Sequence, residues 1–478
     1  MSAALQKLVI LHTNDIHSHF EQMPKIGTVI RRLKQQYEGS VITVDCGDHM
    51  DRMRLETEGT HGLANIAIMN ATGYDVALLG NNEGLTFSAD VLAVNYGKHA
   101  DFAVLGSNLF EMQRRQIPEW LLSHYIAQIG GVCIGFIGVT ANYTDFYELL
   151  GWDVHDPMAT VAQAIVTLRD QVDLVVVLSH LGLTKDKEMA QDLQGIDLIL
   201  GGHTHHLLEQ ALRINNTSIC AAGKFGQYVG EVVLTYDLLE KQLIGIESCC
   251  ISVADFEEDP LILELVYKYQ VLGRSQLSEV IAFLEEPLEI DWMAESKLGN
   301  LLAIGLRQWV DAEIGIVNAG QLLQSLRAGE ITKEHLLRLC PSPINPCLML
   351  LRGEHIWLAL EEALLPEFIE KSIFGFGFRG KVLGTLCLDG LWVSYNSDRE
   401  PYHKINQVCI NGTALDLKRM YRVGTIDMFT FGIGYLSLNQ GTDIQYFLPH
   451  FLRDLLGQLL KDKQAITQSW EKRWHNSK

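Results

Sequence analysis

The chain has 478 residues, 47% hydrophobic and 20% charged, which supplies apolar material for two or three cores and too little charge bias for a disordered polymer. A formal net charge of −20 argues against a nucleic-acid or anionic-membrane partner, since both require clustered Lys and Arg. Nine cysteines are spread along the chain with no CxxC pair, which reads as a set of reduced, mostly buried thiols.

The N-terminus runs straight into an apolar strand at residues 8–11, without a basic leader or a long apolar h-region. No apolar run reaches the roughly 20 residues of a membrane helix, so the expectation is a cytoplasmic protein. Further short β-branched runs follow at 41–44, 76–79, 132–139, 174–178 and 196–200. Between them, 26–37 and 158–170 carry apolar residues at helical spacing. This alternation predicts a layered α/β domain over 1–250. Acids and Pro260 then open a helix at 261–272, which is read as a bridging helix within a linker over 251–280. The remainder, 281–478, alternates again, with a helix at 354–364 and a strand region at 386–395, and is expected to form a second α/β domain.

The strand ends of the first half carry the chemistry. Residues 8–11 lead into His12-Thr13-Asn14-Asp15-Ile16-His17, 41–44 into Asp45-Cys46-Gly47-Asp48, and 76–79 into Gly80-Asn81-Asn82-Glu83. Residues 174–178 lead into Ser179-His180, and 196–200 into Gly201-Gly202-His203-Thr204-His205-His206. Each piece alone is commonly a turn with capping side chains. In a parallel α/β sheet, however, strand carboxyl ends share one edge, where ligands bind. Pooled, the residues offer carboxylates, imidazoles and an amide, a mixed N/O set that suits Mn, Fe, Co or Zn better than Mg or Ca. Two such ions about 4 Å apart lower the pKa of a shared water and clamp phosphoryl oxygens during in-line attack. A carboxylate shared by the pair is expected at Asp48.

At these residues the chain resembles the calcineurin-like metallophosphoesterases, specifically the 5'-nucleotidase and UDP-sugar hydrolase family. The resemblance rests on Leu-His-Thr-Asn-Asp-Ile-His at 11–17, Gly47-Asp48, Gly80-Asn81, Ser179-His180 and Gly202-His203-Thr204-His205, in the family's order. It implies an N-terminal four-layer α/β sandwich and a separate C-terminal α/β domain of 5'-nucleotidase type. It also implies two divalent ions, one on Asp15, His17, Asp48 and His205, the other on Asp48, Asn81, His180 and His203. In the family the C-terminal domain binds the nucleoside, and domain rotation brings the phosphate to the metals.

The chain departs from that pattern in places. The family's block reads Gly-Asn-His-Glu with an Asp soon after, and the His assists the transferring phosphoryl group; here those places hold Asn82 and Leu85. An amide donates a hydrogen bond but supplies no proton. Asn82 is expected to orient phosphoryl oxygens, with His49 (beside Asp51), His19, Arg52 or Arg54 assisting. In the second half, Leu323 stands where the family has an Arg, and Ile433 where it has an acid. Phe376, Arg379, Phe429 and Phe431 are candidates for substrate contact, by stacking or by anion recognition. The expected activity is release of phosphate from a nucleoside monophosphate or similar small phosphate ester. The alternatives are a phosphodiesterase or pyrophosphohydrolase on cyclic nucleotides or nucleotide sugars, and a weakly catalytic metal-dependent nucleotide-binding protein.

Overall fold

The computed structural model describes residues 5–375 and 377–477, so the candidate Phe376 lies outside the described residues. The chain divides into two compact units, one ending at Gly273 and the other beginning at Arg274.

Two six-stranded sheets build the first unit. One runs Gln242–Ser252, Tyr228–Asp237, Leu5–Thr13, Val41–Asp45, Val76–Leu78, Ala103–Leu105, and its last four strands are parallel. The other runs Leu212–Ile214, Thr217–Cys220, Leu198–Gly201, Leu174–His180, Val132–Thr140, Tyr125–Ile129, with a parallel centre and antiparallel edges. The period-2 alternation of a strand explains the layering. In Leu5–Thr13, Leu8 and Ile10 meet Phe136, Val176 and Leu178 of the second sheet, while Val9 and Leu11 join helices Met23–Gln36 and Leu63–Thr72. On the far side, Val175 and Val177 meet Val161 and Leu168 of helix Pro157–Leu168. The layers are therefore helix, sheet, sheet, helix, the expected four-layer sandwich. Burying each large aliphatic side chain in them stabilises the fold by about 1.5–3 kcal/mol.

Helix Pro260–Leu277 is capped by the Asp259 carboxylate, which accepts from the backbone N–H of Leu261 at 2.9 Å. Its Ile262 is fully buried against Gly27, where any Cβ would collide with that side chain. This helix belongs to the first unit as far as Gly273.

The second unit holds a five-stranded mixed sheet, Leu386–Asp389, Ile314–Asn318, Met420–Ile426, Pro346–Arg352, Thr442–Tyr446, and a smaller four-stranded sheet. Helix Lys297–Trp309 fills its centre, with Leu298, Leu301 and Leu302 fully buried. The helix expected at 354–364 is Gly353–Glu362, and the strand region at 386–395 is two strands turning at Gly390, where φ is +77°. Among the described residues no helix is long and apolar enough to cross a membrane.

Candidate metal centre

Parallel register brings the strand ends together. Thr13 pairs with Asp45 and Leu78 with Leu105 in one sheet; Thr140 pairs with His180 and Ser179 with Gly201 in the other. Beyond those ends the backbone turns sharply. Asp15, His17, Asp48, His203 and His205 all have positive φ, between 48° and 72°. Non-glycine residues in that region cost about 1–3 kcal/mol each and persist where surrounding structure enforces them. Gly47, at φ +93°, lets two of the loops touch: a Cβ there would lie 2.8 Å from the Gly80 backbone nitrogen and 2.9 Å from Nδ1 of His180.

Two clusters result, Asp15–His17–His205 and Asp48–His180–His203, each with its donor atoms within 4.8 Å of one another. In the first, Nε2 of His17 lies 3.1 Å from Nε2 of His205 and 3.7 Å from Oδ1 of Asp15, which is 3.4 Å from Nε2 of His205. In the second, Nε2 of His180 lies 3.2 Å from Oδ2 of Asp48. The clusters abut, since Oδ2 of Asp48 is 4.0 Å from Nε2 of His17 and Oδ1 of Asp15 is 3.9 Å from Nε2 of His180.

These separations suit divalent ions, because N and O ligands bonded at about 2.1 Å stand roughly 3.0–3.4 Å apart. Buried orphan atoms point the same way. Oδ1 of Asn81 has no hydrogen-bond partner among the described residues, and Nε2 of His180 has only the poorly aligned Asp48 carboxylate at 3.2 Å, although buried polar atoms ordinarily find a well-formed one.

Electrostatics add a third indication. Burial opposes the charge on Asp48, but His180 and then His17 hold its carboxyl well below the usual range. Asp15 is likewise lowered against burial by the hydrogen bond from His205 and the charges of His180 and His17. Burial would neutralise His180, yet Asp48 and Asp15 push it up to about 10. Burial, then the His180 charge, take His203 down to about 4. Without a cation, the buried carboxylates are balanced by a protonated imidazole; a cation takes over that role and releases the proton.

Supporting residues fix the ligands. The side-chain amide of Asn14 donates to Oδ2 of Asp15 and to the Gly223 carbonyl, both at 2.7 Å, while its oxygen accepts from the Ala222 N–H at 2.9 Å. The Glu83 carboxylate accepts the backbone N–H groups of Gly80, Asp48 and Met50 at 2.9, 3.1 and 2.7 Å, tying two ligand loops together. Nδ1 of His180 lies 2.8 Å from the Cys46 carbonyl oxygen, the kind of outer contact that orients a metal-ligating imidazole. Tyr143, absent from the sequence reading, places its hydroxyl 3.2 Å from Nε2 of His203. It follows strand Val132–Thr140, whose end carries no His, Asp or Glu and so gave no signal.

The remaining candidates divide. Nδ2 of Asn82 lies 3.0 Å from Nδ1 of His17 and 3.1 Å from the Met50 carbonyl oxygen, so the amide nitrogen faces protein atoms and braces a ligand. His49 is buried with Nδ1 at Asn65, 3.1 Å away, and burial and then the His17 charge push it down to about 3. Arg52 pairs with Glu58, and Arg54 and His19 with Glu21. In the second unit Phe429 corrects the expectation: it is fully buried, edge-on to Tyr435, and offers no face for stacking. Phe431 is 40% exposed, and the Arg379 backbone N–H is held by Ser342 at 3.1 Å.

A four-layer sandwich carrying paired Asp/His clusters at its strand ends defines a metallophosphoesterase. Residues 8–207 match the calcineurin-like phosphoesterases, and residues 280–436 match the 5'-nucleotidase C-terminal domain. The chain is 35% identical to an uncharacterised metallophosphoesterase, YunD, of Bacillus subtilis, covering 94% of this chain and 98% of that protein. It is 22% identical to the 5'-nucleotidase of Mus musculus, covering 88% of this chain and 82% of that one. Among solved structures, the NAD nucleotidase of Haemophilus influenzae has a TM-score of 0.70 at 16% identity, over 99% of this chain and 100% of that one. This last likeness speaks for the fold. The chain belongs to the calcineurin-like phosphoesterases with a 5'-nucleotidase C-terminal domain, metal-dependent phosphoester hydrolases that use a dinuclear centre.

Proposed function

We propose that the protein removes phosphate from a nucleoside monophosphate or a similar small phosphate ester. The abutting Asp15–His17–His205 and Asp48–His180–His203 clusters carry this reading. One ion would be held by Asp15, His17, Asp48 and His205, the other by Asp48, Asn81, His180 and His203, with Mn, Zn, Co or Fe suiting these donors. Bound there, the ions lower the pKa of water and neutralise phosphoryl charge. The chain's own part is to aim the ligands: Asn14 orients Asp15, Glu83 spans the Asp48 and Asn81 loops, and Asn82 steadies His17. The C-terminal unit would bind the nucleoside, with Arg379 and Phe431 as the described candidates for contact.

A second reading comes from a Bacillus subtilis relative named as a trifunctional nucleotide phosphoesterase, 24% identical over 92% of this chain, although the match spans 33% of that protein. A nucleotide phosphoesterase of more than one function leaves room for a cyclic-nucleotide or nucleotide-sugar substrate here. Phosphate release from nucleoside monophosphates, cyclic nucleotides and nucleotide sugars, measured with Mn, Co and Zn and with Asp48→Asn as control, separates the two. Absence of metal-dependent release from every substrate would overturn both, and release that survives Asp48→Asn would overturn the assigned ligands.

A further inference from the structure

We propose that the Tyr143 hydroxyl donates a hydrogen bond to the substrate's phosphoryl group, filling the role left open by the amide at position 82. The inference rests on the phosphoester reading above. Tyr143 is the residue before helix Thr144–Leu149, delivered to the ligand edge by strand Val132–Thr140, which pairs Thr140 with His180. That helix packs beside helix Asn81–Thr86, which carries Asn82 at its start. At Gly84 a Cβ would stand 2.6 Å from the Tyr147 hydroxyl, so the glycine lets the two helices meet. Tyr143 therefore approaches from the neighbour of the element that lacks the histidine.

Among the described residues its hydroxyl meets Nε2 of His203, at 3.2 Å, on a residue of the second cluster. A cation on Nε2 takes the one lone pair that could accept from the hydroxyl, and a cation on Nδ1 leaves the proton on Nε2, which then donates to the hydroxyl oxygen. When His203 serves as a ligand, the Tyr143 O–H is left facing whatever oxygen lies beside it. Burial, and then the Asp48 charge, raise the Tyr143 phenol above its ordinary value, so the hydroxyl keeps its proton at neutral pH. The residue is partly exposed, so a ligand can reach it. Asn82 is less suited, because its amide nitrogen is engaged by His17 and the Met50 carbonyl. Removing one donor aimed at developing charge in such a site lowers turnover by about 10²-fold to 10³-fold.

The test compares wild type with Tyr143→Phe, both loaded with Mn. Bound metal is counted by mass spectrometry, orthovanadate and inorganic phosphate affinities are measured by calorimetry, and kcat and KM are measured with p-nitrophenyl phosphate. Vanadate mimics the five-coordinate phosphoryl group and phosphate the ground state. The expected result is unchanged metal content, vanadate affinity and kcat both lower by about 10²-fold, and little change in KM or phosphate affinity. Equal vanadate affinity in the two proteins overturns the inference. So does a loss of metal whose restoration by excess Mn also restores vanadate binding, since Tyr143 would then act only through His203. A wild type that binds vanadate but cleaves no phosphate ester removes the proposed function, while the variant's vanadate affinity still decides Tyr143. A wild type that binds no vanadate removes both.

Discussion

Asn14→Ala perturbs the first metal cluster without touching a ligand. Asn14 is 2% exposed and makes three hydrogen bonds, two of them to the backbone of Ala222 and Gly223. Alanine leaves that N–H and that carbonyl unpaired in the interior, at about 1–3 kcal/mol each. A loss of about 3 kcal/mol follows, and at about 2–4 °C per kcal/mol for a unit this large the first unit melts roughly 6–12 °C lower. Asp15 also loses the 2.7 Å donor that fixes its second oxygen. Loss of such an outer partner weakens metal binding by about 10-fold to 100-fold. Scanning calorimetry of the metal-free protein reads the first effect and Mn titration the second. Asn14→Asp keeps an acceptor for the Ala222 N–H but removes the donor to both Asp15 and the Gly223 carbonyl and adds a like charge beside Asp15, so it should weaken Mn binding further than alanine does. An alanine variant that melts within about 2 °C of wild type, well inside the shift expected at about 2–4 °C per kcal/mol, and binds Mn equally refutes the reasoning.

Three further outcomes can be checked. Asn82→Ala removes the brace on His17, so Mn affinity falls about 10-fold while kcat at saturating Mn stays within a few-fold; a collapse of kcat at saturating metal makes Asn82 a catalytic residue. Stripping cations with EDTA lowers the melting temperature, because each site at 1,000 times its Kd contributes about 4 kcal/mol; identical melts with and without EDTA refute bound structural cations. His12 is fully buried against its cross-strand partner Gly230, and burial lowers its pKa from 6.5 to about 4. The unfolded chain therefore takes up the proton first as pH falls. Stability is lost between pH 6.5 and 4, by about 3 kcal/mol when complete. Urea melts of His12→Phe across that window should lose this part of the wild-type slope, and parallel slopes contradict it.

The first unit was legible because its strands are buried on both faces and read as continuous apolar runs, and because parallel strands must bring their ends to one edge. The strand-end blocks that hold Asp15, His17, Asp48, Asn81, His180, His203 and His205 stood out for that reason, while the assignment of these seven as ligands rests on the family resemblance. Strands Tyr228–Asp237 and Gln242–Ser252 were missed, since the first alternates buried with half-buried positions and the second, at the sheet edge, mixes exposed and half-buried ones, so neither shows a clear apolar run. Side-chain direction was not legible at all. Phe429 and Phe431 are two residues apart in a similar sequence setting, yet one lies within the short helix Asp427–Thr430 and is fully buried, while the other caps that helix and is 40% exposed.

Asn82 and Tyr143 show why composition at a site predicts less than its geometry. Position 82 drew attention because the residue type was unexpected there, and the natural inference was that it replaces the missing group in place. The amide instead turns back to His17 and Met50. A hydroxyl beside the second cluster comes from position 143, in a loop whose sequence holds no His, Asp or Glu to mark it before Asp145. A phosphoryl group needs a donor at a point in space, and any element reaching that edge of the sheet can supply it. Loss of a side chain from one strand end is therefore weak evidence for loss of activity while a neighbouring strand end still reaches the same ligand.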